Sequence, residues 1–188
     1  NPVVYKDVDH PRDAETLGPS DNSDSGSDVH GARRMKTVPE EGLAAGGALP
    51  IADDAQRVRA VRQAIGPGIK LMIDANCAYR AYQAVQLARA IEDQDIFWFE
   101  EAVQPDDYEG FARIARATSI PLATGENEST KHGFRDLIAT QAISILQPDA
   151  RHQGITEFMK IAALAQTHGL DICPHGDQQA HLSLMAAI

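Results

Sequence analysis

Residues 69–101 indicate two strands joined by a helix, and they read IKLMIDANCAYRAYQAVQLARAIEDQDIFWFEE. The runs IKLMID (69–74) and IFWFEE (96–101) are short, apolar and closed by acids. Between them, small and aliphatic residues recur at the spacing of one helix face: Ala84, Leu87, Ala88 and Ile91. A strand, a helix and a second strand in this order are typical of a parallel α/β sheet.

The same alternation continues through the rest of the chain from Ile51 onward. Further strands are predicted at IPLATGE (120–126), AISILQPD (142–149) and LDICPH (170–175). An earlier helix carries Val58, Val61 and Ile65 and ends at the Gly66-Pro67 pair, which cannot continue it. Three more helices are predicted over 108–118, 133–140 and 181–188, and a fourth has an apolar face made by Ile155, Phe158, Met159 and Ala162.

The first fifty residues differ in composition from the rest. Between His10 and Arg34 the only aliphatic residues larger than alanine are Leu17 and Val29, and the run PSDNSDSGSD occupies 19–28. Such a segment buries too little apolar surface to offset its ordering entropy, so we expect it to be poorly ordered. Short strands are predicted only at 3–5 and 34–38.

Seven strands are therefore predicted, with a helix after most of them, which indicates an incomplete (β/α)₈ TIM-type barrel. A complete barrel usually needs roughly 200 to 250 residues, and this chain has 188. We divide it into residues 1–50, a degraded start of the barrel with strands 1 and 2, and residues 51–188, a truncated barrel domain.

Composition excludes some classes of partner. Seventeen basic residues against 27 acidic ones give a net charge of −10, and no basic cluster is present to neutralise phosphates, so we expect no nucleic acid. No apolar run approaches the roughly 18 residues of a membrane span, so we expect no membrane and a cytoplasmic location. Cys77 and Cys173 are far apart without a metal-binding spacing, and we expect reduced thiols.

Three acids end three successive predicted strands at equal intervals of 26 residues: Asp74, Glu100 and Glu126. Because the carboxyl ends of parallel barrel strands open onto one face, these side chains are expected to converge. Converging carboxylates repel one another unless a cation lies between them, and Mg²⁺ prefers oxygen ligands. The pattern therefore predicts a Mg²⁺ site. The alternative is that each acid caps the following helix or pairs with a nearby arginine.

The next two predicted strands end in a possible acid/base pair. Asp149 ends one and His175 ends the other, on the same expected face. A carboxylate that accepts from one imidazole nitrogen fixes the tautomer and raises the basicity of the ring, which makes His175 a candidate general base or acid. The alternative is an ordinary loop histidine.

Five motifs occur in a defined order: IDAN (73–76), WFEE (98–101), TGEN (124–127), QPDA (147–150) and PHG (174–176). In this order and spacing they resemble the mandelate racemase and muconate lactonizing branch of the enolase superfamily. The resemblance is strong from Ile51 to Ile188 and weak before it. It implies an enzyme that removes the proton α to a carboxylate and uses Mg²⁺ to stabilise the ene-diolate.

The resemblance also implies a role for individual residues. Asp74, Glu100 and Glu126 would be the Mg²⁺ ligands, and Asn76 would face the substrate or a metal-bound water. Within 98–128 the chain is most similar to acid-sugar dehydratases.

Acid/base groups on both sides of the substrate are implied as well. Asp149 and His175 would form a dyad on one side. On the other side, RMK (34–36) matches the Lys-x-Lys motif of the family's second strand. Lys36 would be the second acid/base group, with a surface lysine as the alternative, and Arg34 would lie near the substrate carboxylate.

The chain departs from the family pattern in several places. Ala102 replaces the usual proline after WFEE, and the loop before Gly154 is one residue shorter than usual. A polar run replaces the helix between the first two strands, and neither the capping domain nor an eighth strand is recognisable. We therefore expect a fragment or a chain that a partner completes.

The predicted function is Mg²⁺-dependent dehydration of a sugar acid to a 2-keto-3-deoxy acid by a homo-oligomer. Racemisation or epimerisation of a 2-hydroxy acid is the alternative, because the same two-sided acid/base pair serves both reactions. A barrel remnant without catalytic activity is the second alternative.

Overall fold

The computed structural model describes residues 4–6, 50–176 and 178–188 of the chain. Within them, six strands form one sheet in the order β1-β2-β3-β4-β5-β6. Strands β2 to β6 are all parallel, which confirms the predicted parallel α/β architecture of an incomplete barrel. The strands are β1 Val4–Lys6, β2 Leu71–Asp74, β3 Ile96–Glu100, β4 Leu122–Thr124, β5 Ile145–Leu146 and β6 Asp171–Ile172.

Helices follow the strands as the periodicity predicts. They are α1 Ile51–Ile65, α2 Ala81–Ile91, α3 Tyr108–Ala115, α4 Lys131–Ala139, α5 Ala150–Gln153, α6 Ile155–His168 and α7 Gln178–Met185, with a 3₁₀ turn at Glu92–Gln94. Helix α1 ends where Gly66 adopts a φ of 73°, and the predicted apolar face of α2 is buried. The short helix α5 was not predicted.

One residue of the predicted helix faces does not pack as expected. Ile155 is 66% exposed, although Phe158 and Ala162 on the same helix are buried. Ile155 is the first residue of α6, directly after Gly154, so it lies beyond the turns that contact the sheet.

The start of the chain also differs from the prediction. A strand predicted at 3–5 is found at Val4–Lys6, but it pairs antiparallel with β2 and so does not take the position of a parallel barrel strand. An open strand edge offers unpaired N–H and C=O groups that an extended segment can meet in either direction. The strand predicted at 34–38 lies outside the described residues.

The two faces of the sheet carry separate apolar clusters. The larger lies between the sheet and the helices and includes Ile73, Phe99 and Leu146. The smaller takes one residue from each of four strands: Met72, Trp98, Ala123 and Ile145, with Cys173 packed against it. Met72 and Trp98 precede Asp74 and Glu100 by two residues, so side-chain alternation places those acids directly beyond this second cluster. No described helix is both long and apolar enough to cross a membrane.

Candidate active site

Asp74 and Glu100 lie side by side at the ends of β2 and β3. Their Cα atoms are register partners, and the ladder continues beyond them because the Ala75 amide donates to the Glu100 carbonyl at 3.0 Å. Asp74 is 8% exposed and Glu100 is fully buried. The sheet therefore brings these two predicted ligands together at one rim.

Each of these carboxylates is oriented by a local hydrogen bond. The Asn76 backbone N–H donates to Asp74 Oδ1 at 2.8 Å, and the Trp98 indole N–H donates to Glu100 Oε2 at 3.0 Å. Asn76 is exposed and has a φ of 46°, a conformation that asparagine tolerates better than most residues. The exposed Asn76 therefore lies at the same rim as Asp74, and its contact with substrate stays a prediction.

Glu126 reaches the same rim through Gly125. That glycine has a φ of 131°, and a Cβ there would lie 2.8 Å from the Phe134 ring, so a side chain does not fit. Glu126 Oε2 then lies 3.2 Å from His175 Nε2. The third predicted ligand thus contacts the predicted base.

Asp149 and His175 form the expected pair. Both lie three residues beyond Leu146 and Ile172, which are register partners of β5 and β6. His175 Nδ1 is 3.3 Å from Asp149 Oδ2, and Asp149 is fully buried. His175 therefore lies between two carboxylates, with one ring nitrogen toward each.

Arg151 is a member of this group that the sequence analysis did not assign. Its Nη2 lies 2.7 Å from Asp149 Oδ2, its Nε is 3.2 Å from both carboxylate oxygens, and its backbone N–H donates to Oδ1 at 2.9 Å. Gly176 leaves room for the guanidinium, because a Cβ there would lie 2.2 Å from Nη2. The shortened loop before Gly154 was the only sequence signal that this region is unusual.

These contacts determine the charge of Asp149. Burial alone would raise the pKa of Asp149, but the Arg151 hydrogen bonds and the His175 contact outweigh it and hold that pKa well below its usual range. Asp149 is therefore ionised at neutral pH and can orient the His175 imidazole.

Glu101 is the second residue that sequence reasoning missed. It is fully buried, and among the described residues four groups donate to it: the Thr124 hydroxyl, the Gly125 N–H at 3.1 Å, the Asn127 amide at 3.2 Å and the Cys77 thiol at 2.9 Å. Its carboxylate joins the carboxyl ends of β2, β3 and β4, at or next to which the three predicted ligands lie. The second glutamate of WFEE was the available signal.

The three predicted ligands suit Mg²⁺ by their chemistry, because all are carboxylates at or just beyond the ends of adjacent parallel strands. As the described side chains stand, however, no three His, Cys, Asp or Glu residues are gathered closely enough to hold a metal. Glu126 faces His175 and would turn toward Asp74 and Glu100 to complete such a set.

The other predictions concern two basic residues near the start of the chain and the two cysteines. Arg34 and Lys36 lie outside the described residues, so the opposite side of the candidate site stays a prediction. Cys77 and Cys173 are free thiols, as expected. Burial and the nearby Glu101 raise the pKa of the Cys77 thiol.

Comparison with known proteins identifies the family to which the chain belongs. Residues 26–188 match the family model described as enolase C-terminal domain-like, and the chain belongs to this family. It is 39% identical over 137 residues to an L-talarate/galactarate dehydratase of Salmonella typhimurium, covering 72% of this chain and 34% of the relative. It is 32% identical over 163 residues to a 3,6-anhydro-alpha-L-galactonate cycloisomerase of Streptomyces coelicolor, covering 82% of this chain and 45% of the relative. The chain thus spans less than half the length of these curated relatives.

Two solved structures resemble the chain over similar shares of its length. An L-talarate dehydratase from Polaromonas sp. JS666, complexed with Mg and L-glucarate, has a TM-score of 0.71 and 38% identity over 75% of this chain and 40% of that one. A racemase from Streptomyces coelicolor with bound magnesium has a TM-score of 0.73 and 32% identity over 79% of this chain and 44% of that one. The relatives therefore include dehydratases, cycloisomerases and racemases.

Proposed function

We propose that the protein containing this enolase C-terminal domain-like chain removes the proton α to the carboxylate of a sugar acid and dehydrates the acid to a 2-keto-3-deoxy acid. One observation carries the proposal: His175 lies at the rim of the sheet with Glu126 3.2 Å from Nε2 and Asp149 3.3 Å from Nδ1. When Glu126 turns toward Asp74 and Glu100 to hold Mg²⁺, Nε2 is released, and an imidazole with its Nδ1 toward a buried carboxylate can then accept a proton at Nε2.

Asp74, Glu100 and Glu126 would hold Mg²⁺. The ion would stabilise the negative charge that develops on the substrate carboxylate when the α-proton leaves. Hydrogen bonds from Asn76 and Trp98 orient the Asp74 and Glu100 carboxylates, which supports a role for both as ligands.

His175 would take the α-proton at Nε2, and Asp149 would stabilise the resulting imidazolium through Nδ1. The Asp149 charge is maintained by Arg151. In the dehydration, the protonated His175 would then deliver a proton to the departing 3-hydroxyl, which leaves as water. The enol that remains would take up a proton from solvent at C3 and become the 2-keto-3-deoxy acid. Asn76 would contact the substrate at the rim.

Racemisation or epimerisation of a 2-hydroxy acid is the second candidate, supported by the racemase among the similar structures. It requires an acid/base group on the opposite face, for which Lys36 is the proposal, with Arg34 near the substrate carboxylate. A cytoplasmic location and a homo-oligomer are proposed on the sequence alone.

The test is incubation of the full-length protein with Mg²⁺ and a panel of sugar acids in D₂O. We expect NMR to show a 2-keto-3-deoxy product that carries deuterium at C3, and deuterium at the α-position of acid that is recovered unreacted. Exchange with inversion but without the keto product would favour the racemase. Neither exchange nor a keto product with any acid would favour a barrel remnant without catalytic activity.

A further inference from the structure

A second histidine lies beside Asp149. His181 on α7 places its Nε2 3.7 Å from Asp149 Oδ1, whereas His175 Nδ1 is 3.3 Å from Oδ2. The two imidazoles therefore approach different oxygens of one buried carboxylate. The side chain of His181 is 5% exposed, and the proposed reaction gives it no role.

His181 accepts a hydrogen bond from the backbone next to Asp149. The Ala150 N–H donates to His181 Nε2 at 2.9 Å. Ala150 is the first residue of α5, and an N–H at the start of a helix has no partner within that helix. Because α5 has only four residues, an acceptor from α7 helps to fix the backbone that carries Asp149.

The hydrogen bond also determines the state of the His181 ring. A ring nitrogen that accepts carries no proton, so the neutral ring has its proton on Nδ1. Nδ1 is buried and has no hydrogen-bond partner among the described residues, and the ring stacks on Phe158 with centroids 5.7 Å apart. The buried Nδ1–H without a partner costs stability, and a leucine in place of His181 would fill the same space without that cost. The polar contribution of this ring is its acceptance from Ala150.

We infer that His181 is a positioning residue for the Asp149–His175 pair. By accepting from Ala150 it holds the Asp149 carboxylate where both Arg151 and His175 reach it. The inference rests on the proposed function, in which His175 is the base. A displacement of about 1 Å in a catalytic group can cost about 100-fold in rate, so loss of this hydrogen bond should be measurable.

The test compares His181→Leu, which removes the acceptor, with His181→Gln, whose Oε1 can take the place of Nε2. Leu182→Gln is the matched control, because Leu182 is the next residue on α7 and is 70% exposed. We expect His181→Leu to slow α-proton exchange by about tenfold or more at saturating sugar acid, with KM and Mg²⁺ affinity nearly unchanged. His181→Gln should recover most of the rate, and the control should equal the wild type.

Two kinetic outcomes would overturn the inference. One is exchange at the wild-type rate in a folded His181→Leu protein. The other is an equal loss of exchange rate in the leucine and glutamine variants, because the hydrogen bond from Ala150 would then not explain the loss. If the leucine variant fails to fold, the glutamine variant is measured alone. Exchange near the wild-type rate in the folded glutamine variant supports the inference, and a loss of about tenfold or more overturns it.

Ring-nitrogen NMR separates this inference from the proposed function. We expect His181 to carry its proton on Nδ1 and the His175 Nδ1 signal to shift in His181→Leu and return in His181→Gln. If the wild type neither exchanges an α-proton nor forms a keto product, the proposed function fails, and these signals still decide whether His181 positions the pair. A protonated Nε2 on His181, or an unmoved His175 signal, would contradict the inference.

Discussion

Glu101 and Gly125 are joined by a hydrogen bond in which the Gly125 amide donates to Glu101 Oε1 at 3.1 Å. Thr124 donates to the same oxygen, and Cys77 and Asn127 donate to Oε2. Glu126 follows Gly125 directly, so the buried Glu101 carboxylate holds the segment from which the third proposed ligand projects. A buried carboxylate that is not itself a proposed ligand thus connects the loops around the candidate site.

Glu101→Gln should lower the free energy of unfolding by about 1–3 kcal/mol. The new amide can keep its oxygen toward Thr124 and Gly125, but its NH₂ then faces two donors, Asn127 and Cys77. Urea unfolding measures the change. Glu109→Gln on the exposed side of α3 is the control, and equal stability of the two variants would count against the role of Glu101.

Glu100→Gln should weaken Mg²⁺ binding by about tenfold or more, because a neutral amide replaces a buried anionic oxygen between β2 and β4. Calorimetry on wild type, Glu100→Gln and the Glu109→Gln control gives the affinities. Unchanged affinity in Glu100→Gln would refute the proposed metal site.

His175→Asn should abolish exchange of the substrate α-proton on its face while leaving Mg²⁺ affinity nearly unchanged, because the imidazole is not a proposed ligand. Deuterium incorporation and calorimetry together test this pair of expectations. Undiminished exchange would transfer the role of base to Lys36.

Arg151→Gln should destabilise the protein at neutral pH and less so in acid. Arg151 lowers the pKa of Asp149 in the folded state, so the stability that this ionised carboxylate contributes is fully present above its unfolded pKa of about 4. It is lost as the pH falls below that value toward the folded pKa. Urea unfolding at pH 7 and pH 3 should therefore show a difference between variant and wild type that shrinks with acid.

The control for this pH dependence is Arg135→Gln. Arg135 pairs with Asp136 on the surface, where both side chains are more than half exposed and such pairs contribute little. A constant destabilisation by Arg151→Gln at both pH values would mean that Arg151 does not act through the Asp149 charge.

Cys77 should react slowly with iodoacetamide at pH 8. Burial, the hydrogen bond to Glu101 and the nearby carboxylates of Glu126 and Asp74 raise the pKa of its thiol, and only the thiolate is the nucleophile. Mass spectrometry over time, with the urea-unfolded protein as reference, measures the rate. Alkylation as fast as in the unfolded chain would contradict the structure around Glu101.

Much of the fold and of the site followed from local pattern. The apolar face of α2 and the glycine stop of α1 are determined within a few turns of chain. Parallel strands run in one direction, so residues that follow the strands in sequence lie at the same edge of the sheet. This rule places four predicted site residues at one rim: Asp74, Glu100, Asp149 and His175.

The sequence by itself thus determined the order of strands and helices and which acids and histidine end them, because these depend on residues that are neighbours along the chain. Only the tertiary structure decided the antiparallel pairing of β1 and the hydrogen bonds that converge on Glu101. The same is true of the contacts that Arg151 and His181 make around Asp149. Glu101 and Gly125 are 24 residues apart, and Ala150 and His181 are 31 apart. Such contacts leave no periodic signal, since they depend on where packing brings separate loops together and on which buried donors then need an acceptor.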